Sequence, residues 1–217
     1  MNIDQARFNM VEQQVRPWEV LDPATLETLS AVPREAFVPP RYARLAFADL
    51  MLPLAHDQVM MRPVIEGRML QALAVEPGES VLEIGTGSGF IAACLGQRAA
   101  RVTSVDCFAD LTARAGEVLA ELKIGNVELA TGDVMLGWRP AERFDALAVT
   151  ASAPYLPEHF LDWLKPGGRM FIIIGEAPLM HARLYRLDAD RRVADEDLFE
   201  TDLKPLVHCV KAPTFEF

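Results

Sequence analysis

The chain has 217 residues, of which 51% are hydrophobic, and it carries a formal net charge of −10. This length and apolar content suffice for one domain with a sizeable core, and the acidic balance disfavours nucleic acid or an anionic membrane as the main partner. The three cysteines form no Cys-x-x-Cys pair, so the sequence predicts neither a disulfide framework nor a metal site. We expect a cytoplasmic protein, because no signal sequence and no apolar stretch of about 18 residues is found.

The first third of the chain is predicted to be helical. Phe8, Val11 and Val15 mark one apolar stripe of a first helix. Asp22 is followed by proline, a typical start of a second helix. A further helix is predicted over Ile65–Ala74, where apolar residues recur on one face.

From residue 80 onward, apolar strands alternate with helices, which is typical of a parallel sheet covered on both faces. The predicted elements are strand Val81–Ile84, helix Ser88–Arg98, strand Arg101–Val105, helix Leu111–Leu122, strand Val127–Ala130, strand Ala146–Thr150, helix Glu158–Leu164 and strand Met170–Ile174. The tail differs, because 182–187 and 198–207 are predicted to form an antiparallel hairpin around a polar turn at 188–192. We therefore predict an α/β fold with a doubly wound, mostly parallel seven-stranded sheet, in which a helical extension (1–75) precedes the core (76–217).

The most informative motif is SVLEIGTGSG, residues 80–89. Gly85, Gly87 and Gly89 occupy alternate positions after a predicted strand, where side chains would keep a ligand away from the main chain. Such a turn after the first parallel strand indicates a nucleotide site. A dinucleotide fingerprint would have glycine at the position of Phe90, so the motif argues against NAD.

The spacing Glu-x-Gly-x-Gly-x-Gly, from Glu83 to Gly89, resembles motif I of the class I S-adenosylmethionine-dependent methyltransferases. A sulfonium cation without phosphate suits a turn flanked by carboxylates. Asp106 follows Gly85 by 21 positions, close to the spacing of about 20 residues at which a carboxylate meets ribose hydroxyls. Asp133 ends the third strand, where it can accept a hydrogen bond from the adenine amino group while Val134 packs on the ring.

For both aspartates the alternative is a structural role, as a helix cap or in a turn. The residues expected to bind S-adenosyl-L-methionine are Glu83, Gly85, Thr86, Gly87, Ser88, Gly89, Asp106, Cys107, Asp133, Val134 and Thr150.

Nearly the whole chain resembles the protein-L-isoaspartate O-methyltransferase family. The matching segments are MVEQQVRP (10–17), VPREAFVP (32–39), FADLMLPL (47–54), VLEIGTGSGF (81–90), GDVMLGW (132–138), FDALAVTASAP (144–154), LKPGGRM (164–170) and KPLV (204–207). The resemblance implies a Rossmann-like sheet whose N-terminal helices wall the active site. It also implies methyl transfer from S-adenosyl-L-methionine to the α-carboxylate of an isoaspartyl residue, which starts protein repair.

The chain departs from the family pattern where the acceptor is expected to bind. The family's Gly-Gln-Thr-Ile-Ser-x-Pro corresponds here to residues 57–63, so Val59 replaces the threonine and Met61 the serine. The expected acceptor-binding residues are Gln58, Val59, Met60, Met61 and Arg62. No catalytic residue is assigned, and the lost hydroxyls predict weak or absent isoaspartyl activity.

Three interpretations follow from this departure. The first is a methyltransferase acting on proteins or peptides that carry isoaspartate. The second keeps the cofactor but takes a small, more apolar acceptor, and the third is a non-catalytic S-adenosylmethionine-binding protein. Turnover with an isoaspartyl peptide separates the first from the others. The four histidines show no ligand spacing and are expected in loops or at the surface: His56, His159, His181 and His208.

Overall fold

A computed structural model describes residues 2–210 of the chain. The N-terminal part consists of α1 (Ile3–Asn9), which continues as a π-helical segment (Met10–Val15) and a 3-10 turn (Arg16–Trp18), then α2 (Pro23–Ala31), α3 (Arg34–Phe37), a 3-10 segment (Pro40–Leu45), β1 (Leu52–Pro53), β2 (Val59–Met60) and α4 (Pro63–Leu73). The remainder comprises β3 (Ser80–Ile84), α5 (Phe90–Gly96), β4 (Arg101–Asp106), α6 (Ala109–Glu121), β5 (Val127–Thr131), β6 (Phe144–Ala153), a 3-10 segment (Glu158–Trp163), β7 (Leu164–Glu176), β8 (Leu179–Leu187) and β9 (Val193–Thr201).

Seven strands form one sheet in the order β5-β4-β3-β6-β7-β8-β9. The pairings from β5 to β7 are parallel, whereas β8 is antiparallel to both β7 and β9. Every residue of β3 is buried, as expected for a central strand covered on both faces. The predicted mostly parallel sheet with a C-terminal antiparallel hairpin is confirmed.

The hairpin's second strand was predicted over 198–207 but runs over Val193–Thr201, so this boundary was wrong. Residues 193–197 of β9 are exposed because β9 is an edge strand, and its acidic side chains form ion pairs across to β8. Arg183, for example, lies 3.1 Å from Asp195. The apolar residues beyond 201 instead cross the end of the sheet, where Pro205 bridges to Ser152 of β6.

Two further expectations need correction, and one element was missed. Phe8 is 58% exposed, because the wider π-helical turn that follows it shifts the buried face to Met10, Val11 and Val15. The predicted helix at 158–164 is a 3-10 segment that ends at Trp163. The two-stranded hairpin β1–β2 was not predicted, because its strands are only two residues long.

The core joins the N-terminal helices to one face of the sheet. A single apolar cluster contains residues of the helices, such as Val15 and Leu29, together with Phe171 and Ile173 of β7. Within residues 2–210, no helix has the length and apolar character needed to cross a membrane.

Candidate functional site

The glycine turn lies at the carboxyl end of β3, tightly enclosed by its neighbours. Gly85 has φ of +99°, and a Cβ there would come within 2.4 Å of Thr150 Oγ1. Gly89 has φ of +86°, and its Cβ would lie 2.8 Å from the Cβ of Ala115 on α6. The Thr150 hydroxyl donates to the Gly85 carbonyl at 2.6 Å, so it holds the turn in place. Only glycine fits this path of the main chain.

Asp106, the last residue of β4, lies directly beside the turn. Its Oδ2 accepts a hydrogen bond from the main-chain N–H of Gly87 at 2.8 Å, and Oδ1 accepts one from Phe108 N–H at 3.0 Å. Burial raises the pKa of this carboxyl, while the Gly87 and Phe108 hydrogen bonds lower it. Each oxygen keeps a second lone pair for a ligand hydroxyl.

Asp106 opens into a cavity, here called the Asp106 cavity, at the carboxyl ends of β3, β4 and β5. Its lining consists of Gln58, Ile84, Gly85, Val105, Asp106, Cys107, Phe108, Gly132, Asp133, Val134, Ala151, Leu206 and Val207. The structure thus brings together the predicted Gly85, Asp106, Cys107, Asp133 and Val134. Burial, together with the nearby charges of Asp106 and Asp133, raises the pKa of the Cys107 thiol to about 11, so this thiol is neutral at pH 7.

Asp133 also lines the Asp106 cavity. Its Oδ1 accepts main-chain hydrogen bonds from Met135 at 2.8 Å and from Leu136 at 3.1 Å. Its Oδ2 lies 2.5 Å from Nδ1 of His208. Asp133 therefore has a structural role in a turn, which was the alternative to cofactor binding, and it also lines the cavity.

Two chain segments from outside the sheet contribute to the lining of the Asp106 cavity, and of their lining residues only Gln58 was predicted, as part of the acceptor site. The first is the tip of the β1–β2 hairpin, where His56 contacts Asp110 at 2.8 Å and stacks on Phe108 with ring centroids 4.1 Å apart. The second contains Leu206 and Val207. An ion pair between Asp57 and Lys204 joins the two segments. Only the KPLV motif in the sequence pointed to the second segment.

A second cavity, here called the Met61 cavity, lies on the other side of the glycine turn. It is lined by Val59, Met60, Met61, Glu66, Glu83, Gly85, Thr86, Gly87, Ser88, Phe90, Ile91 and Thr150. It therefore unites three predicted acceptor residues with much of the glycine turn, and Gly85 lines both cavities. Gln58 lines the Asp106 cavity instead. Arg62 lines neither, because its guanidinium contacts Thr201 Oγ1 at 3.4 Å and lies 3.9 Å from Asp202.

Glu83 is fully buried beside the Met61 cavity. Its Oε2 accepts a short hydrogen bond from Ser104 Oγ, which lies 2.6 Å from Thr86 Oγ1, so the carboxyl is tied to the glycine turn. Its Oε1 has no hydrogen-bond partner within the described part of the chain. Burial raises the pKa of Glu83 to about 8.

Arg34 and Glu66 form a buried ion pair behind the Met61 cavity. Arg34 Nε donates to the Ala46 carbonyl at 2.9 Å, and Nη2 donates to the Met61 carbonyl at 2.9 Å. Burial raises the pKa of Glu66, and the Arg34 charge opposes this shift. The pair fixes the main chain of the acceptor segment. Apart from the VPREAFVP motif, nothing in the sequence predicted this role, since most charged residues are exposed.

The residues that line the two cavities fit S-adenosyl-L-methionine. Asp106, Asp133, Glu83 and Glu66 line them, whereas no lysine or arginine does among the residues that the structure describes. The Asp106 and Asp133 carboxylates suit a cationic ligand without phosphate. Glu83, with its pKa raised to about 8, is mainly neutral at pH 7, and Glu66 is paired with Arg34. Gly85 and Gly89 let the turn pack closely against Thr150 and Ala115, and the turn lies beside both cavities.

Comparison with known proteins agrees with this geometry. The family model described as protein-L-isoaspartate(D-aspartate) O-methyltransferase matches residues 6–210. Protein-L-isoaspartate O-methyltransferase 1 of Rhodopseudomonas palustris (strain HaA2) is 40% identical over 203 residues, which cover 93% of this chain and 82% of that protein. The Syntrophotalea carbinolica protein-L-isoaspartate O-methyltransferase is 35% identical over 207 residues, covering 95% of each chain.

Among solved structures, a putative protein-L-isoaspartate O-methyltransferase from Plasmodium falciparum, crystallised with S-adenosyl-L-homocysteine, has a TM-score of 0.77 to this chain. The two are 21% identical, and the match covers 95% of this chain and 98% of that one. At this identity the likeness establishes the fold.

Proposed function

This chain belongs to the protein-L-isoaspartate O-methyltransferase family, and on that premise we propose that it methylates the α-carboxylate of L-isoaspartyl residues in proteins and peptides. The observation that carries the proposal is the junction of two cavities at one glycine. Because Gly85 lines both the Asp106 cavity and the Met61 cavity, a ligand lying along the glycine turn reaches both. Cofactor and acceptor can therefore meet there.

The Asp106 cavity is the proposed site of the nucleoside end of S-adenosyl-L-methionine, which supplies an electrophilic methyl group on a sulfonium. Asp106 accepts hydrogen bonds from the ribose hydroxyls with the lone pairs that Gly87 and Phe108 leave free. Asp133 accepts one from the adenine amino group, while Val134 packs against the ring. Glu83 and the main chain of the glycine turn line the path toward the acceptor.

The Met61 cavity is the proposed site of the isoaspartyl α-carboxylate. An ionised carboxylate is already a nucleophile, so no general base is required, and the protein contributes mainly by alignment. A bond forms between a carboxylate oxygen and the methyl carbon as the carbon–sulfur bond breaks, which yields a methyl ester and S-adenosyl-L-homocysteine. With Val59 and Met61 in place of hydroxyl residues, the main chain held by Arg34 positions the acceptor.

The test is transfer of a tritiated methyl group from S-adenosyl-L-methionine to an isoaspartyl peptide, with the aspartyl peptide of the same sequence as control. We expect base-labile incorporation into the isoaspartyl peptide alone. Equal labelling of both peptides would contradict the acceptor assignment. The assignment would also be contradicted if the protein binds S-adenosyl-L-homocysteine but labels neither peptide.

A further inference from the structure

A turn near the carboxyl end of the described chain places His208 against Asp133, one of the residues that line the Asp106 cavity. Ser152 of β6 fixes the preceding segment, because it donates from Oγ to the Leu203 carbonyl at 2.8 Å and accepts at its carbonyl from Leu206 N–H at 2.8 Å. Cys209 N–H then donates to the Leu206 carbonyl at 3.1 Å and closes the turn. His208 adopts φ of +62° within it.

This turn brings the His208 imidazole against Asp133, which is distant in sequence. Nδ1 lies 2.5 Å from Oδ2, and since an ionised carboxylate only accepts hydrogen bonds, Nδ1 carries the proton. Two main-chain N–H groups occupy Oδ1. The carboxylate is thus held at both oxygens, and Oδ2 retains one lone pair for a donor in the Asp106 cavity.

We propose that His208 is a positioning residue that fixes the Asp133 carboxylate as an acceptor for the 6-amino group of the cofactor's purine. The inference rests on the proposed function, in which Asp133 meets adenine. A carboxylate held in this way discriminates against a 6-oxo purine, whose oxygen has no hydrogen to donate to the carboxylate and is repelled by it. Without His208, Oδ2 of Asp133 is free to turn toward solvent, and the preference for a 6-amino over a 6-oxo purine declines.

The test compares two ligands by calorimetry: S-adenosyl-L-homocysteine and its 6-oxo analogue S-inosyl-L-homocysteine. We expect His208→Ala to weaken binding of the adenosyl ligand by about 5- to 20-fold. Binding of the inosyl ligand should change less than twofold, so the preference between them narrows. His208→Asn should restore most of the preference, because its side-chain amide presents an N–H near the position of Nδ1.

His181→Ala is the matched control. His181 also has Nδ1 close to an aspartate oxygen, Asp197 Oδ2 at 2.8 Å, but it forms no hydrogen bond there and lies on the β8–β9 hairpin. The His181→Ala variant should bind both ligands with unchanged affinity. An equal loss for both ligands in His208→Ala would reduce His208 to a structural role and overturn the inference. So would tighter binding, which would mean that the imidazole competes with the ligand for Asp133.

The same measurements separate this inference from the proposed function. If the natural protein binds neither ligand, the inference and the cofactor site fall together. If it binds S-adenosyl-L-homocysteine but does not methylate the isoaspartyl peptide, only the acceptor assignment fails. In that case the ligand preference of His208→Ala still decides the role of His208.

Discussion

Arg34 donates a hydrogen bond from Nη2 to the main-chain carbonyl of Met61 at 2.9 Å, and both side chains are buried. The N-terminal part of the chain thereby fixes the segment that lines the acceptor side of the glycine turn. The same guanidinium pairs with Glu66 and lies over the Phe90 ring at 4.8 Å. One side chain thus couples the acceptor segment to the helix after the glycine turn.

The first prediction concerns this buried pair. Arg34→Met leaves the Glu66 carboxyl without its partner, which should cost about 3–5 kcal/mol of unfolding free energy. For a chain of this size, Tm should fall by about 6–20 °C in scanning calorimetry. Adding Glu66→Leu should recover most of the loss, since two apolar side chains leave no buried charge. The exposed Arg186→Met is the control, and an equal loss there would contradict the argument.

Cofactor binding gives the second prediction. At a ligand concentration of about 100 times Kd, S-adenosyl-L-homocysteine should stabilise the protein by roughly 2.7 kcal/mol. This corresponds to a rise in Tm of about 5–10 °C. NAD should give no rise, because Phe90 stands where a dinucleotide site has its third glycine. A larger shift with NAD than with S-adenosyl-L-homocysteine would refute the cofactor assignment.

Asp106 is the subject of the third prediction. Asp106→Asn keeps one oxygen that can accept from the Gly87 main chain but removes the charge that strengthens hydrogen bonds to the ribose. A charged hydrogen bond contributes about 1.5–3 kcal/mol, so affinity for S-adenosyl-L-homocysteine should fall roughly 10- to 100-fold by calorimetry. Asp162→Asn, at an exposed site, should bind normally. Unchanged affinity in Asp106→Asn would make Asp106 only a structural acceptor for the turn.

Part of this site was predictable from local sequence motifs, whereas the contacts between residues distant in sequence were not predictable. The glycine turn and Asp106 follow from spacing within one strand–turn–helix–strand unit. Contact between His208 and Asp133 joins residues 75 positions apart, and no pattern in the sequence around either residue predicts it. Arg34 was missed for another reason: a charged side chain is expected at the surface, and only tertiary structure supplies the carboxylate and carbonyls that bury it.

The fourth prediction uses the pKa of Glu83, which burial raises to about 8 in the folded protein. An exposed glutamate has a pKa near 4.3, so between these values the folded state binds more protons than the unfolded state. The free energy of unfolding should therefore decrease as the pH rises from about 4.5 to 8, by up to about 1.4 kcal/mol per pH unit. Glu83→Gln removes this titration.

The measurement is Tm of the ligand-free protein between about pH 5 and pH 8. The Tm of Glu83→Gln relative to that of the natural protein should rise with pH across that interval. Exposed Glu128→Gln serves as the control and should follow the natural protein. A Tm difference between the two proteins that is constant with pH would show that Glu83 keeps an ordinary pKa in the folded state.

The last prediction concerns Val59 and Met61, the two apolar residues of the Met61 cavity that replace hydroxyl residues of the family pattern. Met61 is 3% exposed and fills space where the family has a serine, so it removes a hydrogen bond to the acceptor carboxylate and narrows the cavity. A charged hydrogen bond of about 1.5–3 kcal/mol corresponds to roughly one to two orders of magnitude in rate. Val59→Thr with Met61→Ser should therefore raise turnover of an isoaspartyl peptide at least about tenfold.

The comparison uses tritiated methyl transfer by the natural protein and the double variant, with Kd for S-adenosyl-L-homocysteine as the internal control. That Kd should stay within about twofold, because neither side chain lines the Asp106 cavity. Removing a buried methionine side chain costs about 2–5 kcal/mol, so the assay is run well below the Tm of the variant. Val59→Thr alone should give a smaller gain, since it leaves Met61 in the cavity. If neither variant gains turnover while both stay folded and bind the cofactor product, the main-chain groups held by Arg34 already orient the carboxylate. The hydroxyls of the family pattern would then be dispensable in this chain.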